Sequence, residues 1–317
     1  MKRSTSRHFS LAAAASFTGA LLWFGGTAQA ANSASFQISP PTANYAGDPG
    51  SVSKGTMKIT NLTDTPLVLN VSKQNFVAKG EEGEIELVDN ANPLYSLAPW
   101  FNIPSGQVEV GARATKEVTY TISIPANAEP GGRYGSIVFS TIPPKLPSGQ
   151  SGATVQQNLA GVIFQRINGD AKEELKLESF TTEKSFYEYA PIKFFTRISN
   201  QGNVHEKPTG TITIKNFLGM KVAEVPLDEH FIIPGSTRRL TNVWPDGDTK
   251  PWLIGKYTAE LKATYTGDQT ITGTTTFVVV PWKPLAAAGT VLIVIFLVFW
   301  KGRKRLSRAV RILAGRE

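Results

Sequence analysis

Cysteine is absent from all 317 residues. That excludes disulfide staples, thiolate metal sites and cysteine nucleophiles. A chain without staples must hold itself together by hydrophobic burial, and this length allows it. For a β-rich exported protein, complete absence suits a bacterial surface better than an animal one, where ectodomains commonly carry disulfides. Histidine is nearly as scarce, with three in the chain: His8, His205 and His230. No His-x-Glu or His-x-x-x-His pair occurs, so zinc sites lack their ligand spacing. Gly-x-Ser-x-Gly is missing too, and neither His205 nor His230 has a nucleophile elbow to serve. No catalytic residue, metal or cofactor is expected. His205 follows a Gly-Asn turn and is read as a loop hydrogen-bonding residue.

Long apolar runs are confined to the two ends. Lys2, Arg3 and Arg7 precede an apolar stretch from Phe9 to Phe24, and Ala28-Gln29-Ala30 follows. This is the three-part layout of a secretory signal peptide, residues 1–30, with cleavage after Ala30. At the other end, Leu285 to Trp300 carries no charge. Sixteen helical residues cover about 24 Å, slightly short of a hydrocarbon core of about 30 Å. Trp282 and Trp300 suit the interfaces and Lys283 can snorkel. Residues 281–300 are therefore predicted to cross the membrane. The basic run from Lys301 to Arg311 opens a cytoplasmic tail, 301–317, by the positive-inside rule. Leu306, Ala309, Val310 and Leu313 recur at helical spacing there, which suits either an interfacial helix or a solvated basic tail.

The net charge of +8 suggests a nucleic-acid binder. Its distribution removes that reading. The first thirty residues hold three basic side chains, and the tail holds seven basic residues and Glu317. What remains, 31–300, has 23 basic and 24 acidic residues. The surplus marks topology, and no nucleic-acid partner is expected.

Between the ends, apolar residues alternate with polar ones. Val118, Tyr120, Ile122 and Ile124 share one face of Thr115–Ile124. Ile212 and Ile214 share one face of Gly210–Asn216. Tyr257, Ala259, Leu261, Ala263 and Tyr265 share one face of Lys256–Tyr265. This period marks half-buried antiparallel strands. Turn residues punctuate them, at Gly80–Gly83, Gly111, Pro130-Gly131-Gly132, Gly202-Asn203 and Gly267-Asp268. The predicted fold is all-β: two tandem immunoglobulin-like sandwiches, 31–170 and 171–280, and then the membrane helix. The Pro/Gly/Ser-rich segment Pro143–Gly152 is a linker or long loop. Gly131-Gly132 reads first as a tight turn and second as a ligand contact. Glu81, Glu82, Glu84 and Glu86 read as a solvated acidic hairpin rather than a glycosidase pair. Asp246-Gly247-Asp248 offers too few carboxylates for a calcium site.

Three motifs of the first domain carry a resemblance. They are Phe36-Gln37-Ile38-Ser39-Pro40, then Ile59-Thr60-Asn61 before a turn, then Ile124-Pro125 followed by Pro130-Gly131-Gly132-Arg133-Tyr134-Gly135-Ser136-Ile137-Val138-Phe139. Their order resembles the N-terminal domain of the WxL-interacting protein family of Gram-positive surfaces and, more distantly, the opening of periplasmic pilus chaperones. The WxL-interacting resemblance implies a peptidoglycan-binding first domain and a second domain that docks a surface protein. The second domain, with Asn200-Gln201-Gly202-Asn203-Val204-His205, matches a generic bacterial immunoglobulin-like pattern and not the WxL-docking one. Arg133, Tyr134, Trp100 and Tyr95 are the candidate glycan contacts, through aromatic stacking and Arg–carboxylate pairing. Trp100, between Pro99 and Phe101, reads equally as a core anchor. The expected role is non-catalytic binding of cell-wall peptidoglycan or another surface protein. The alternative is a membrane-tethered chaperone for a surface polymer.

Overall fold

The computed structural model describes residues 35–313 except 90, 105, 143–155 and 246–252. The predicted signal peptide, the segment 143–152 and the triplet 246–248 lie outside the described residues.

Among the described residues, ten strands build the first sandwich: β1 (Phe36–Ser39), β2 (Thr42–Gly47), β3 (Val52–Asn61), β4 (Leu67–Lys79), β5 (Glu84–Val88), β6 (Phe101–Asn102), β7 (Gly106–Val110), β8 (Thr115–Ser123), β9 (Gly131–Thr141) and β10 (Asn158–Ile167). One sheet runs β1-β3-β8-β6, the other β2-β10-β9-β4-β5, and β7 also pairs with β4. β2 lies parallel to β10, and the other pairs in these two sheets are antiparallel. The alternation in β8 places Val118, Tyr120 and Ile122 in a core with Phe36, Met57 and Phe139. β9 does not alternate, and Gly131 to Phe139 are all buried. One of its faces meets the core, and the opposite face near its start meets the second sandwich.

The second sandwich has β11 (Leu175–Thr182), β12 (Phe186–Tyr187), β13 (Ile192–Asn200), β14 (Thr209–Asn216), β15 (Lys221–Pro226), β16 (Thr237–Trp244), β17 (Gly255–Tyr265) and β18 (Gln269–Val279). Its sheets run β11-β13-β16 and β12-β18-β17-β14-β15. Phe194 meets Phe277 edge-on at 5.8 Å, and Tyr257 stacks on Phe277 at 5.5 Å between ring centroids. These rings anchor a core shared with Ile198, Ile212, Ile214 and Leu240.

Both sandwiches use one device to end a strand. Asn61, at the end of β3, donates to the carbonyls of Thr65, Val110 and Gly111 and accepts from the Thr63 amide. Asn200, at the end of β13, donates to the carbonyls of Val204 and Ile232 and accepts from the Gly202 amide. Each buried amide thus satisfies backbone groups that a turn would otherwise strand.

Only Val280 and Pro281 separate β18 from the helix α1 (Trp282–Leu313). α1 is unbroken through the uncharged run and the basic segment after it. Its first 21 residues, Trp282–Gly302, are long and apolar enough to cross a membrane, with mean hydropathy 2.1 in the most apolar window. Their apolar side chains are exposed.

Candidate functional site

The two sandwiches meet along a seam. Its centre is aromatic: Phe76 of β4, Tyr134 of β9 and Phe164 of β10 from the first, with Phe231 and His205 from the second. Phe164 lies 4.9 Å from Phe231 and 5.2 Å from His205 between ring centroids, and Tyr134 lies 5.7 Å from His205. Tyr134 meets His205 edge-on and the two Phe164 contacts are tilted; aromatic pairs add about 0.5–1.5 kcal/mol each beyond area burial.

Polar contacts frame the aromatics. The Gly132 amide donates to the Asn203 carbonyl at 2.8 Å, and Asn203 Nδ2 donates to the Pro130 carbonyl at 3.2 Å. Gly131 has φ 134°, and a Cβ there would come within 2.9 Å of the Asn203 carbonyl oxygen. The glycine pair therefore permits the close approach expected of it, and the neighbour is the Asn203 turn of the second sandwich. The His205 ring reaches back to Asn44 of β2 at 3.0 Å. Hydrogen bonding was its expected role, but across the seam rather than within a loop. Burial, helped by the Arg166 charge, holds its pKa down to about 4. Arg166 pairs with Glu173 and sits 3.8 Å from Glu206, whose carboxyl is pushed up chiefly by burial.

The acidic hairpin between β4 and β5 is also part of the seam. Glu81 accepts from Arg197 Nε of β13 at 2.7 Å, its carbonyl accepts from the Arg239 amide of β16 at 2.8 Å, and Glu82 pairs with Arg239 at 2.6 Å. The hairpin stays partly solvated, with the Glu82 side chain 54% exposed, but arginines 116 positions or more away pair with these two residues. The Arg197 hydrogen bond holds the Glu81 pKa below its usual value.

The four candidate contact residues converge beside this seam. The Tyr134 amide donates to the Tyr95 carbonyl at 2.8 Å, and their rings lie 6.2 Å apart. The Arg133 guanidinium lies over the Trp100 ring, 5.4 Å from its centroid. Arg133 and Tyr134 are buried, whereas Tyr95 and Trp100 are half-buried. Arg133 donates to the carbonyls of Gly132 and Glu129, and burial lowers its pKa. Burial raises that of Tyr134. Both side chains are held in the protein, and Arg133 covers one face of Trp100.

Next to Tyr95 and Tyr134 the first sandwich opens. β4 and β9 pair from Leu69↔Thr141 to Asn75↔Gly135 and then separate. Asn75 Oδ1 accepts from the amides of Leu97 and Ala98, holding the chain after Tyr95 along β9 instead. Beyond Asn75, β4 keeps β5 on one side and has no strand partner on the other, among the described residues. A pocket of about 160 Å³ lies there, lined by Phe76, Val77, Ala78, Tyr95, Tyr134 and residues 233–236 of the second sandwich. None of these side chains is charged. On the polar side of the seam, Asn44, Arg166, His205, Glu206 and Thr266 line a pocket of about 320 Å³. Among the described residues, no three His, Asp or Glu side chains cluster to hold a metal ion.

No protein-family model matches this chain, and no curated protein sequence does, so the WxL-interacting resemblance has no sequence-level support. Solved structures similar in fold include the class 5 fimbriae chaperone CfaA, at 14% identity over 75% of this chain and 98% of that one, TM-score 0.39. The Escherichia coli chaperone DraB is similar at 14% identity over 77% and 96%, TM-score 0.38. A chain of the Salmonella enterica SafA pilin–SafB chaperone complex is similar at 11% identity over 77% and 96%, TM-score 0.38.

Proposed function

We propose that this protein is a membrane-tethered, non-catalytic binding module that holds an extended segment of another protein outside the membrane. The observation behind this reading is the gap beside β4. An unpaired strand edge accepts a guest strand through backbone hydrogen bonds, and a neighbouring pocket selects an alternate side chain. Here both elements lie together, and the uncharged lining favours an apolar side chain over a sugar, whose hydroxyls would lose water without replacement. The exposed apolar stretch of α1 supplies the tether, and the basic run that follows orients it with the C-terminus inside. In its specific form the guest is a subunit of a surface polymer, held by this protein until assembly.

The second reading, peptidoglycan binding, rests on Tyr95, whose half-buried ring lines the same opening, and on the half-buried ring of Trp100. One experiment separates the two. A photo-crosslinking amino acid at Val77, which is 38% exposed, is placed in the full chain in native membranes. A discrete protein adduct is expected, lost when Ala78→Trp fills the pocket. No protein adduct, with the detergent-solubilised full chain pelleting on purified wall sacculi, would replace the protein guest by wall glycan.

A further inference from the structure

The exposed large apolar side chains of the second sandwich are not scattered. Among the described residues, seven occur between β11 and β18: Phe186, Tyr189, Phe217, Leu218, Met220, Val222 and Ile254. Strand register places them all at one end. Asn216, the last residue of β14, stands level with Tyr257 of β17 and so with Phe277 of β18. The β14–β15 turn, Phe217 to Met220, runs past that level toward the height of Gly255 and Val279, which face each other. Phe186 pairs with Val278, and Tyr189 lies just beyond Tyr187, which pairs with Val279. Ile254 immediately precedes Gly255, and Phe217 packs over that glycine. This is the end from which α1 leaves, with Val280 and Pro281 between Val279 and its first residue.

The opposite end differs. Thr266, Gly267, Asp268 and Gln269 form the β17–β18 turn, and no exposed large apolar side chain occurs there among the described residues. A side chain such as Phe217, 70% exposed, or Leu218, 65% exposed, at the tip of a polar hairpin is unfavourable in water. One strand, β17, lies between that hairpin and β18, so at about 4.8 Å per strand the tip stands within about 15 Å of β18. Its height differs from that of Trp282, the first residue of α1, by only a few residues. Lys283 is held at this level by Glu188 at 3.0 Å, and Lys256 is exposed beside it.

We propose that this end of the second sandwich lies in the outer membrane interface, with Phe217, Leu218 and Met220 inserted among the lipid headgroups and upper acyl chains. The proposal rests on α1 crossing the bilayer. The covering surface is then the bilayer that α1 enters: apolar tips go inward, and Lys256 and Lys283 sit at the height of the phosphates.

The absence of cysteine makes the test clean. Single cysteines at Leu218, Asp268 and Val294 of the full chain are labelled with an environment-sensitive fluorophore. Each protein is reconstituted into phosphatidylcholine–phosphatidylglycerol vesicles carrying nitroxide lipids of shallow or deep position. The expected result is deep quenching at 294 and shallow quenching at 218, the latter at least about twofold stronger than at 268. Deep quenching at 294 with 218 behaving like 268 would overturn the insertion and leave the anchor standing. No quenching at 294 would remove the anchor and the insertion together. A blue-shifted emission at 218 without lipid quenching would overturn the proposal in favour of a second protein copy covering the tip.

Discussion

His205 refuses a proton because it is packed among Tyr134, Phe164 and Phe231, with Arg166 nearby. Its pKa falls from the ordinary 6.5 to about 4 in the folded chain. Between those values the unfolded chain binds the extra proton, so stability is full above about pH 6.5 and falls toward pH 4, by about 3 kcal/mol in all. Glu206 acts with the opposite sign, since its raised pKa favours the folded state at low pH. Comparing the wild type with His205→Gln isolates the histidine. Thermal melts should show the wild type losing more stability on acidification, and parallel pH profiles would sink the assignment. The two strand-ending asparagines act at the same scale. Replacing Asn61 or Asn200 by Ala strands several buried backbone groups and should cost about 3 kcal/mol, measured by denaturant unfolding. A loss below about 1 kcal/mol would mean that water replaces the amide.

Single strands show which parts of the fold were legible in sequence. β8, β14 and β17 each bury one face, so their alternation was visible as Val118-x-Tyr120-x-Ile122, Ile212-x-Ile214 and Tyr257-x-Ala259-x-Leu261. β9 buries both faces near its start and left no such period. The hairpin between β4 and β5 looked solvated because the partners of Glu81 and Glu82 are on β13 and β16, and local pattern cannot encode such distance. The same limit hid Phe231 and the pocket beside β4, although Tyr95, Trp100, Arg133 and Tyr134 were singled out next to it. Exposed ion pairs are worth at most about 1 kcal/mol, so the double change Glu81→Ala, Glu82→Ala should barely lower stability. It should instead loosen the seam, seen as faster amide exchange at Gly132 and Arg239, whose amides bond across it. Unchanged exchange there would show that the aromatics alone fix the seam.

At the scale of the molecule, the order of sandwich, sandwich and helix was readable because each carries its own period: two residues for the strands, an uninterrupted apolar run for the helix. How the parts join was not readable, since each joint is made by residues far apart in the chain. The seam ties Asn44, Glu81 and Gly132 of one sandwich to His205, Arg197 and Asn203 of the other. The lower joint is shorter still, with Val280 and Pro281 as the whole connection and the Val280 amide bonded to the Tyr187 carbonyl at 2.9 Å. Such a joint has no slack. A pull exerted on the far sandwich would not first straighten a loose tether. It would pass through the seam and β18 directly into α1, and so load the basic end of the same helix. Force on the first sandwich is therefore borne by packed side chains and backbone hydrogen bonds rather than by loose chain.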